Sequence, residues 1–358
     1  MIHRREPMEL DELRDEIRKR DAEIIKLISE RTQLAIQIGE IKRAESLPIR
    51  NIEVEKKVIQ RYIDGGAEKG LSSEVMESVS KALIKEAVDA EASIPIKMVP
   101  KEVAIIGGAG KMGSWTANLL RESGHNVKII DPAADNGLTI RDCKGCDIVI
   151  VSVPIHKAYE TITDLDSICG KDCLIFDLTS LKTPLVKRLK AMSKTHKVCS
   201  IHPMFGPSAT SMYGRNLIIC DCGCQKAVDE AKELFDDRGG NIRVMDIEEH
   251  DGYMSYVLGL THAVNIALFT VLERSGYSFE DLLTVSSTTF NKGLDTNRSV
   301  ASENPMLYYE IQHMNLHRDE MWSLFRKTVN ELMQKSLDDD PAGFIDMMNA
   351  GRKYFESS

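Results

Sequence analysis

Three groups of residues in this sequence have the types and spacing to do chemistry. The first is Gly108-Ala109-Gly110-Lys111-Met112-Gly113, which follows the apolar run EVAII and precedes a helical pattern, with Asp131 closing the next apolar run, HNVKIID. Behind a strand and ahead of a helix, this GxGxxG spacing builds a dinucleotide site. Gly108 permits the tight turn, Gly110 lets a pyrophosphate approach the backbone, and Gly113 lets helix and strand pack closely. The free N–H groups of the helix N-terminus, in the turn of Lys111 and Met112, then face the phosphates. Asp131 accepts hydrogen bonds from ribose hydroxyls and repels a 2′-phosphate. Pro132-Ala133-Ala134 supply no arginine to receive one, so the expected cofactor is NAD rather than NADP. Ser152 and Pro154, in the run DIVIVSVP, are assigned to the same cofactor edge. The second group is cationic. Leu10, Ile17, Ile24 and Ile38 form a row seven residues apart, and the missing member between Ile24 and Ile38 is Arg31. Lys42 lies about 20° from Arg31 around a helix, while Arg14 lies about 100° off that face. The third is His202, which ends the run KVCSIHP at the carboxyl edge of a predicted strand, where such sheets bind ligands.

These residues need a scaffold of two kinds. Residues 8–44 read as one unbroken helix of about 55 Å at ~1.5 Å per residue, ended by Leu47-Pro48. A second helix is predicted over 52–62, closed by GGAEKG, and a third from Ser72 or Ser73 to about Ser93. Helices so unequal cannot wrap into a compact monomer. The apolar stripe of the first needs a second copy, so an intertwined dimer is expected. After the proline-containing linker 94–101, strand and helix patterns alternate up to residue 246, the signature of a doubly wound parallel sheet. Helical patterns return from 247 to 358. The division is therefore 1–93 all-α, 102–246 an α/β Rossmann domain, and 247–358 all-α. The apolar stretch 254–272 in the last part is read as a dimer interface and a wall of the substrate cleft.

Composition narrows the function. The chain has 358 residues and a formal charge of −9, which argues against a nucleic-acid partner. No uninterrupted apolar run approaches the ~20 residues that span a bilayer, and the charged start MIHRREPMEL has no signal core. A cytoplasmic protein without a membrane partner is expected. The eight cysteines include CxxC at Cys143 and Cys146 and CDCGC at 220–224. Their spacing is too irregular for paired zinc knuckles, so reduced thiols and no metal are expected.

The segments VAIIGGAGKMG, VSVPIH, DLTSLK, IHPMFGP and EEHD, followed by His262, resemble prephenate dehydrogenase in order and spacing. LRDEI, LISERTQLAIQIGEIK and LPIRN resemble the all-helical chorismate mutase. Fused in this order, they resemble the bifunctional chorismate mutase–prephenate dehydrogenases of tyrosine synthesis. The resemblance implies rearrangement of chorismate to prephenate, then NAD-dependent oxidative decarboxylation to 4-hydroxyphenylpyruvate. It assigns chorismate's carboxylates to Arg31 and to Arg14 of the other subunit, the ether oxygen to Lys42, and the substrate hydroxyl to Glu55. Glu91 falls where relatives carry Gln or Glu against the ether oxygen; as a carboxyl it must hold a proton to donate. In the dehydrogenase, the resemblance makes His202 the base for the 4-hydroxyl, supported by Ser180. Arg298 anchors a substrate carboxylate, His262 lines the pocket, and His156 and Lys182 are further candidates. Feedback by tyrosine is implied by the same analogy.

Two departures bear on the mutase. Val54 stands where many relatives carry arginine, and Asn51 replaces an aspartate. They leave open an alternative, a dehydrogenase acting on prephenate or its aminated analogue arogenate, whose helical N-terminal region is a non-catalytic dimerisation or regulatory module.

Overall fold

The computed structural model describes residues 9–45, 47–94, 99–236 and 238–356. Residues 1–8, 46, 95–98, 237 and 357–358 lie outside this set. The N-terminal part is three helices: α1 (Leu10–Ala44), α2 (Ile52–Ala67) and α3 (Ser73–Ala92). Helix α3 packs against both others. Gly39 does not interrupt α1. A Cβ there would stand 3.0 Å from Glu91 Cγ, so the glycine lets α3 cross closely. Helix α2 runs past its predicted end for a similar reason. Gly66 is buried, its Cβ position 2.3 Å from Met76 Cγ, so it serves helix approach rather than termination. Gly70, at φ +74°, makes the turn instead. Ser72 caps α3 and Asn51 caps α2, its side chain accepting from Glu53 and Val54 N–H. The apolar stripe of α1 is uncovered in the single chain: Ile17 is 60% exposed and Leu27 62%.

The middle of the chain forms a seven-stranded sheet of order β2-β1-β3-β4-β5-β6-β7. Its strands are β1 (Glu102–Ile106), β2 (Asn126–Ile130), β3 (Ile148–Val151), β4 (Leu174–Asp177), β5 (Lys197–Pro203), β6 (Asn216–Asp221) and β7 (Asn241–Asp246). Helices α4 (Lys111–Glu122) and α7 (Gln225–Phe235) cover one face, α5 (Ile155–Ile168) and α6 (Val186–Met192) the other. Strand residues alternate between the two cores: Val103 and Ile105 face α4 and α7, Ala104 and Ile106 face α5. The expectation of a wholly parallel sheet needs one correction, because β6 runs antiparallel to β5. No helix lies between them, only the loop 204–215, and without a crossover the chain returns alongside itself.

The C-terminal part comprises α8 (Ile247–Met254), α9 (Thr261–Arg274), α10 (Phe279–Thr284), α11 (Thr288–Ala301), α12 (Pro305–Met314), α13 (Arg318–Leu337) and α14 (Ala342–Glu356). A π-helical turn, Ser255–Leu260, joins α8 to α9 in one rod. By length and composition this rod, Ile247–Arg274, is apolar enough to cross a bilayer, and it carries His250, Asp251, Ser255 and His262 buried within the protein.

Candidate active sites

The cationic site forms where α1 faces α2 and α3. A cleft of about 510 Å³ is lined by Arg31, Lys42, Glu55 and Glu91 together with apolar residues such as Val54 and Ile84. The one-heptad exception in the α1 stripe thus points into a pocket. Arg31 is tethered there by a 2.7 Å bond to the Leu83 carbonyl, which fixes the guanidinium rather than letting it snorkel. Lys42 donates to the Ile49 carbonyl at 2.6 Å and to the Glu91 carboxylate at 2.7 Å. Glu55 accepts both Arg50 Nε at 2.8 Å and a second Arg50 nitrogen at 3.1 Å. With Lys42 paired to Glu91 and Arg50 to Glu55, Arg31 is the cleft cation that, among the described residues, is left to meet a dianion, one charge against two. Arg14 lies far along α1, on the surface and paired with Asp11 at 3.0 Å. It is not in the cleft of its own chain.

The glycine turn has the shape of a dinucleotide site, with one change of role. Gly107, not Gly108, has positive φ, +76°, and its Cβ position lies 2.3 Å from the Ser152 carbonyl. Gly108 is needed because Ile129 and the Ile105 carbonyl crowd it. Gly110 is the N-cap of α4, followed by Lys111 and Met112. A Cβ on Gly113 would lie 2.5 Å from the Gly107 carbonyl, as close helix–strand packing demands. The Asp131 carboxylate accepts from Ala109 N–H at 3.2 Å and Ala133 N–H at 2.9 Å, which holds it beside the turn. Ser152 and Pro154 follow β3 on the adjoining edge. The turn, the free helix N-terminus and the carboxylate at the end of β2 fit an adenine dinucleotide.

At the carboxyl edge of β5, His202 is buried and its Nδ1 lies 3.0 Å from His250 Nε2. His250 Nδ1 lies 2.7 Å from Asp251 Oδ1. Asp251 is held by the N–H groups of Lys182 and Thr183 and by the Thr183 hydroxyl. Burial alone would raise the Asp251 carboxyl, yet His250, Thr183 and the Lys182 N–H hold it below its ordinary value. An ionised Asp251 only accepts, so His250 Nδ1 carries the proton and its Nε2 accepts from His202 Nδ1–H. His202 Nε2 is left with its lone pair. Burial, then His250 and Lys182, push His202 well below the usual histidine range, so it is neutral and able to act as a base. Burial lowers His250 in the same way.

The other candidates separate. Ser180 follows β4, beside β5, and is half-buried. Lys182 is fully buried, and its ammonium donates to Asp177 at 3.1 Å and to the Thr179 and Ile201 carbonyls. Its three donors are thus engaged within the sheet edge rather than by a substrate. His156 pairs with buried Glu310. His262 is buried against Tyr308, its Nδ1 has no hydrogen-bond partner among the described residues, and burial lowers it to about 4. Arg298 stacks on Phe279 at 5.1 Å and lines a second cleft of about 330 Å³ between α9, α10 and α11. Its carboxylate role rests on the resemblance alone.

Sequence reasoning missed the His250–Asp251 support, although EEHD places the two side by side at a helix start. It also missed Arg50 and Tyr213 around Glu55, for which no local pattern gives a signal. All eight cysteines are free thiols, and seven are buried.

Comparison with known proteins follows the same three-part division. The family model for chorismate mutase type II matches residues 13–92. Those for the nucleotide-binding and dimerization domains of prephenate dehydrogenase match 116–244 and 246–350. The T-protein of Haemophilus influenzae is 29% identical over 350 residues, covering 97% of this chain and 92% of its own. A probable arogenate/prephenate dehydrogenase of Methanocaldococcus jannaschii is 27% identical, over 71% of this chain and 61% of its own. Among solved structures, an Aquifex aeolicus prephenate dehydrogenase bound to hydroxyphenyl propionate and NAD+ matches with TM-score 0.56 at 24% identity, covering 72% of this chain and 99% of its own. The Synechocystis arogenate dehydrogenase matches with TM-score 0.55 at 18% identity, covering 71% and 99%. At these identities the structural matches carry the fold alone.

Proposed function

We propose that this chain is a bifunctional chorismate mutase–prephenate dehydrogenase, performing two consecutive steps of tyrosine biosynthesis, a reading supported by the three domain matches and the T-protein relative. Chorismate is rearranged to prephenate in the helical cleft, and prephenate is oxidised and decarboxylated to 4-hydroxyphenylpyruvate at the sheet edge. The observation that carries this reading is the presence in one polypeptide of a cleft holding Arg31 and Lys42 and of a buried neutral histidine on a dinucleotide-type sheet.

The mutase reaction needs no covalent catalysis. The protein must fold the substrate and stabilise negative charge growing on the breaking ether oxygen. Arg31 holds a carboxylate, Lys42 donates to the ether oxygen, and Glu55 accepts from the substrate hydroxyl. Glu91, whose carboxylate pairs with Lys42 at 2.7 Å, aims that ammonium at the same oxygen rather than donating a proton of its own. Arg14 of a second copy supplies the missing positive charge, consistent with the exposed α1 stripe. Asn51 is accounted for as the α2 cap, so its departure from aspartate does not by itself argue for a non-catalytic module.

The 107–113 turn, Asp131, Ser152 and Pro154 would hold NAD, which would supply the hydride acceptor for the carbon bearing prephenate's 4-hydroxyl. His202 Nε2 takes the hydroxyl proton, while His250 and Asp251 hold its ring in the accepting tautomer. Ser180 supports the hydroxyl from the neighbouring strand, and His262 lines the pocket. Ring aromatisation draws off the carboxylate as carbon dioxide. The reading includes a homodimer, supported by the match to a dimerization domain. It also includes a cytoplasmic setting, in keeping with eight unpaired thiols. Domain limits of 1–93, 102–246 and 247–358 are part of the same proposal.

The decisive experiment supplies the full chain with chorismate and NAD and follows NADH. NADH formation without added prephenate is expected. NADH from prephenate but not from chorismate would reduce the helical part to a non-catalytic module. NADH only from arogenate would move the substrate.

A further inference from the structure

Glu55 belongs to the mutase cleft, yet its carboxylate is gripped from the other domain. Tyr213, in the loop 204–215 that follows the His202 strand, donates its hydroxyl to Glu55 Oε2 at 3.4 Å. Arg50 binds both oxygens of Glu55, stacks on the Tyr213 ring at 5.0 Å and donates to Asn241 Oδ1 at 2.8 Å at the start of β7. The ring of Tyr213 also packs on the cluster of Ile49, Ile84, Val88 and Ala92, whose first three members line the cleft. Next to it Gly239, at φ +72°, approaches so closely that a Cβ would lie 2.7 Å from Val88 Cγ1. The cleft itself is lined by residues between 31 and 91, and the sheet domain buttresses that wall from behind.

We propose that Tyr213, with Arg50, is a positioning residue of the mutase site, holding Glu55 in the orientation that receives the substrate hydroxyl. A carboxylate offers about four lone-pair positions. Arg50 takes two and Tyr213 one, which leaves one for a substrate hydroxyl and fixes its direction. Burial, and then the Glu55 charge, raise the Tyr213 phenol, so it stays protonated as the donor this geometry needs. The inference rests on the assignment of Glu55 to the mutase site.

The test is steady-state kinetics on the full chain with Tyr213→Phe, Glu55→Gln and the double variant. Phenylalanine keeps the ring packing and removes only the hydroxyl. A substrate-holding group acts alike in ground and transition states, so KM for chorismate should rise about fivefold in Tyr213→Phe with kcat nearly unchanged. In the Glu55→Gln background the same change should have no effect, because the group it acts through is gone. NADH formation from added prephenate should match the parent in Tyr213→Phe. An unchanged KM in Tyr213→Phe overturns the proposal, and so does an equal loss with and without Glu55. If Glu55→Gln alone leaves mutase kinetics intact, the assignment of Glu55 falls and this inference falls with it.

Discussion

Asp251→Asn isolates the tautomer argument for the dehydrogenase. The wild-type carboxylate divides its acceptor duties unevenly. Oδ2 takes Thr183 N–H at 2.6 Å, the Thr183 hydroxyl at 2.5 Å and Lys182 N–H at 3.1 Å. Oδ1 takes His250 Nδ1 at 2.7 Å and Lys182 N–H at 2.9 Å. Asparagine has a single carbonyl oxygen, and the three-donor side claims it. Its amide N–H then faces His250 Nδ1, which must become an acceptor. His250 Nε2 now carries the proton and donates to His202 Nδ1, so the proton of His202 is driven to Nε2, the atom that should receive the substrate's. The fold is kept but the base is lost, and general-base catalysis is worth about 10²- to 10⁴-fold in rate. We expect kcat for NADH formation from prephenate to fall by about two orders of magnitude, with mutase turnover of chorismate unchanged as the internal control. Thermal melting with and without NAD checks that the sheet is intact. A variant with kcat within about twofold of the parent and the same pH profile refutes the relay.

Arg31→Ala should lower mutase kcat/KM by about 10²-fold or more, through loss of a fixed cation in a dry pocket, and leave prephenate oxidation untouched; parallel assays of the two reactions decide it. Gly113→Ala places a methyl 2.5 Å from the Gly107 carbonyl, so NAD affinity measured by calorimetry should drop at least about tenfold; unaltered affinity counts against the site. His262 is lowered to about 4 by burial, against 6.5 unfolded. The unfolded chain therefore binds this proton first, and its stabilising effect is full above the unfolded value and lost as pH falls from there toward 4. That loss is about 3 kcal/mol at most by linkage, and His262→Asn should flatten the fall of Tm across this window; an equally steep fall contradicts it.

The sequence made legible what depends on local periodicity. The α1 row with Arg31 in an apolar place, the GxGxxG turn with Asp131, and the alternation of strand and helix all correspond to structural features. What it hid depends on partners distant in the chain. Gly107 rather than Gly108 takes the left-handed conformation because the Ser152 carbonyl lies against it, a crowding that no spacing rule contains. The antiparallel β6 follows from a loop that returns the chain beside β5 without a crossover helix. Lys182, a further candidate in DLTSLK, gives its donors to Asp177, Thr179 and Ile201 at the ends of β4 and β5. His250 and Tyr213 gain their roles only when segments 48 and 158 residues apart meet.

The long first helix has a genetic corollary. Under the proposed sharing of Arg14, each rearrangement centre draws its cations from two polypeptides, so a lesion in that helix is not private to the molecule that bears it. A chain lacking Arg14 and a chain lacking Arg31 would each be inert among their own kind. Paired with one another they would rebuild one whole centre out of two, and about a quarter of all centres would be restored by random assortment. Two null alleles of this region could therefore complement each other within a single cell.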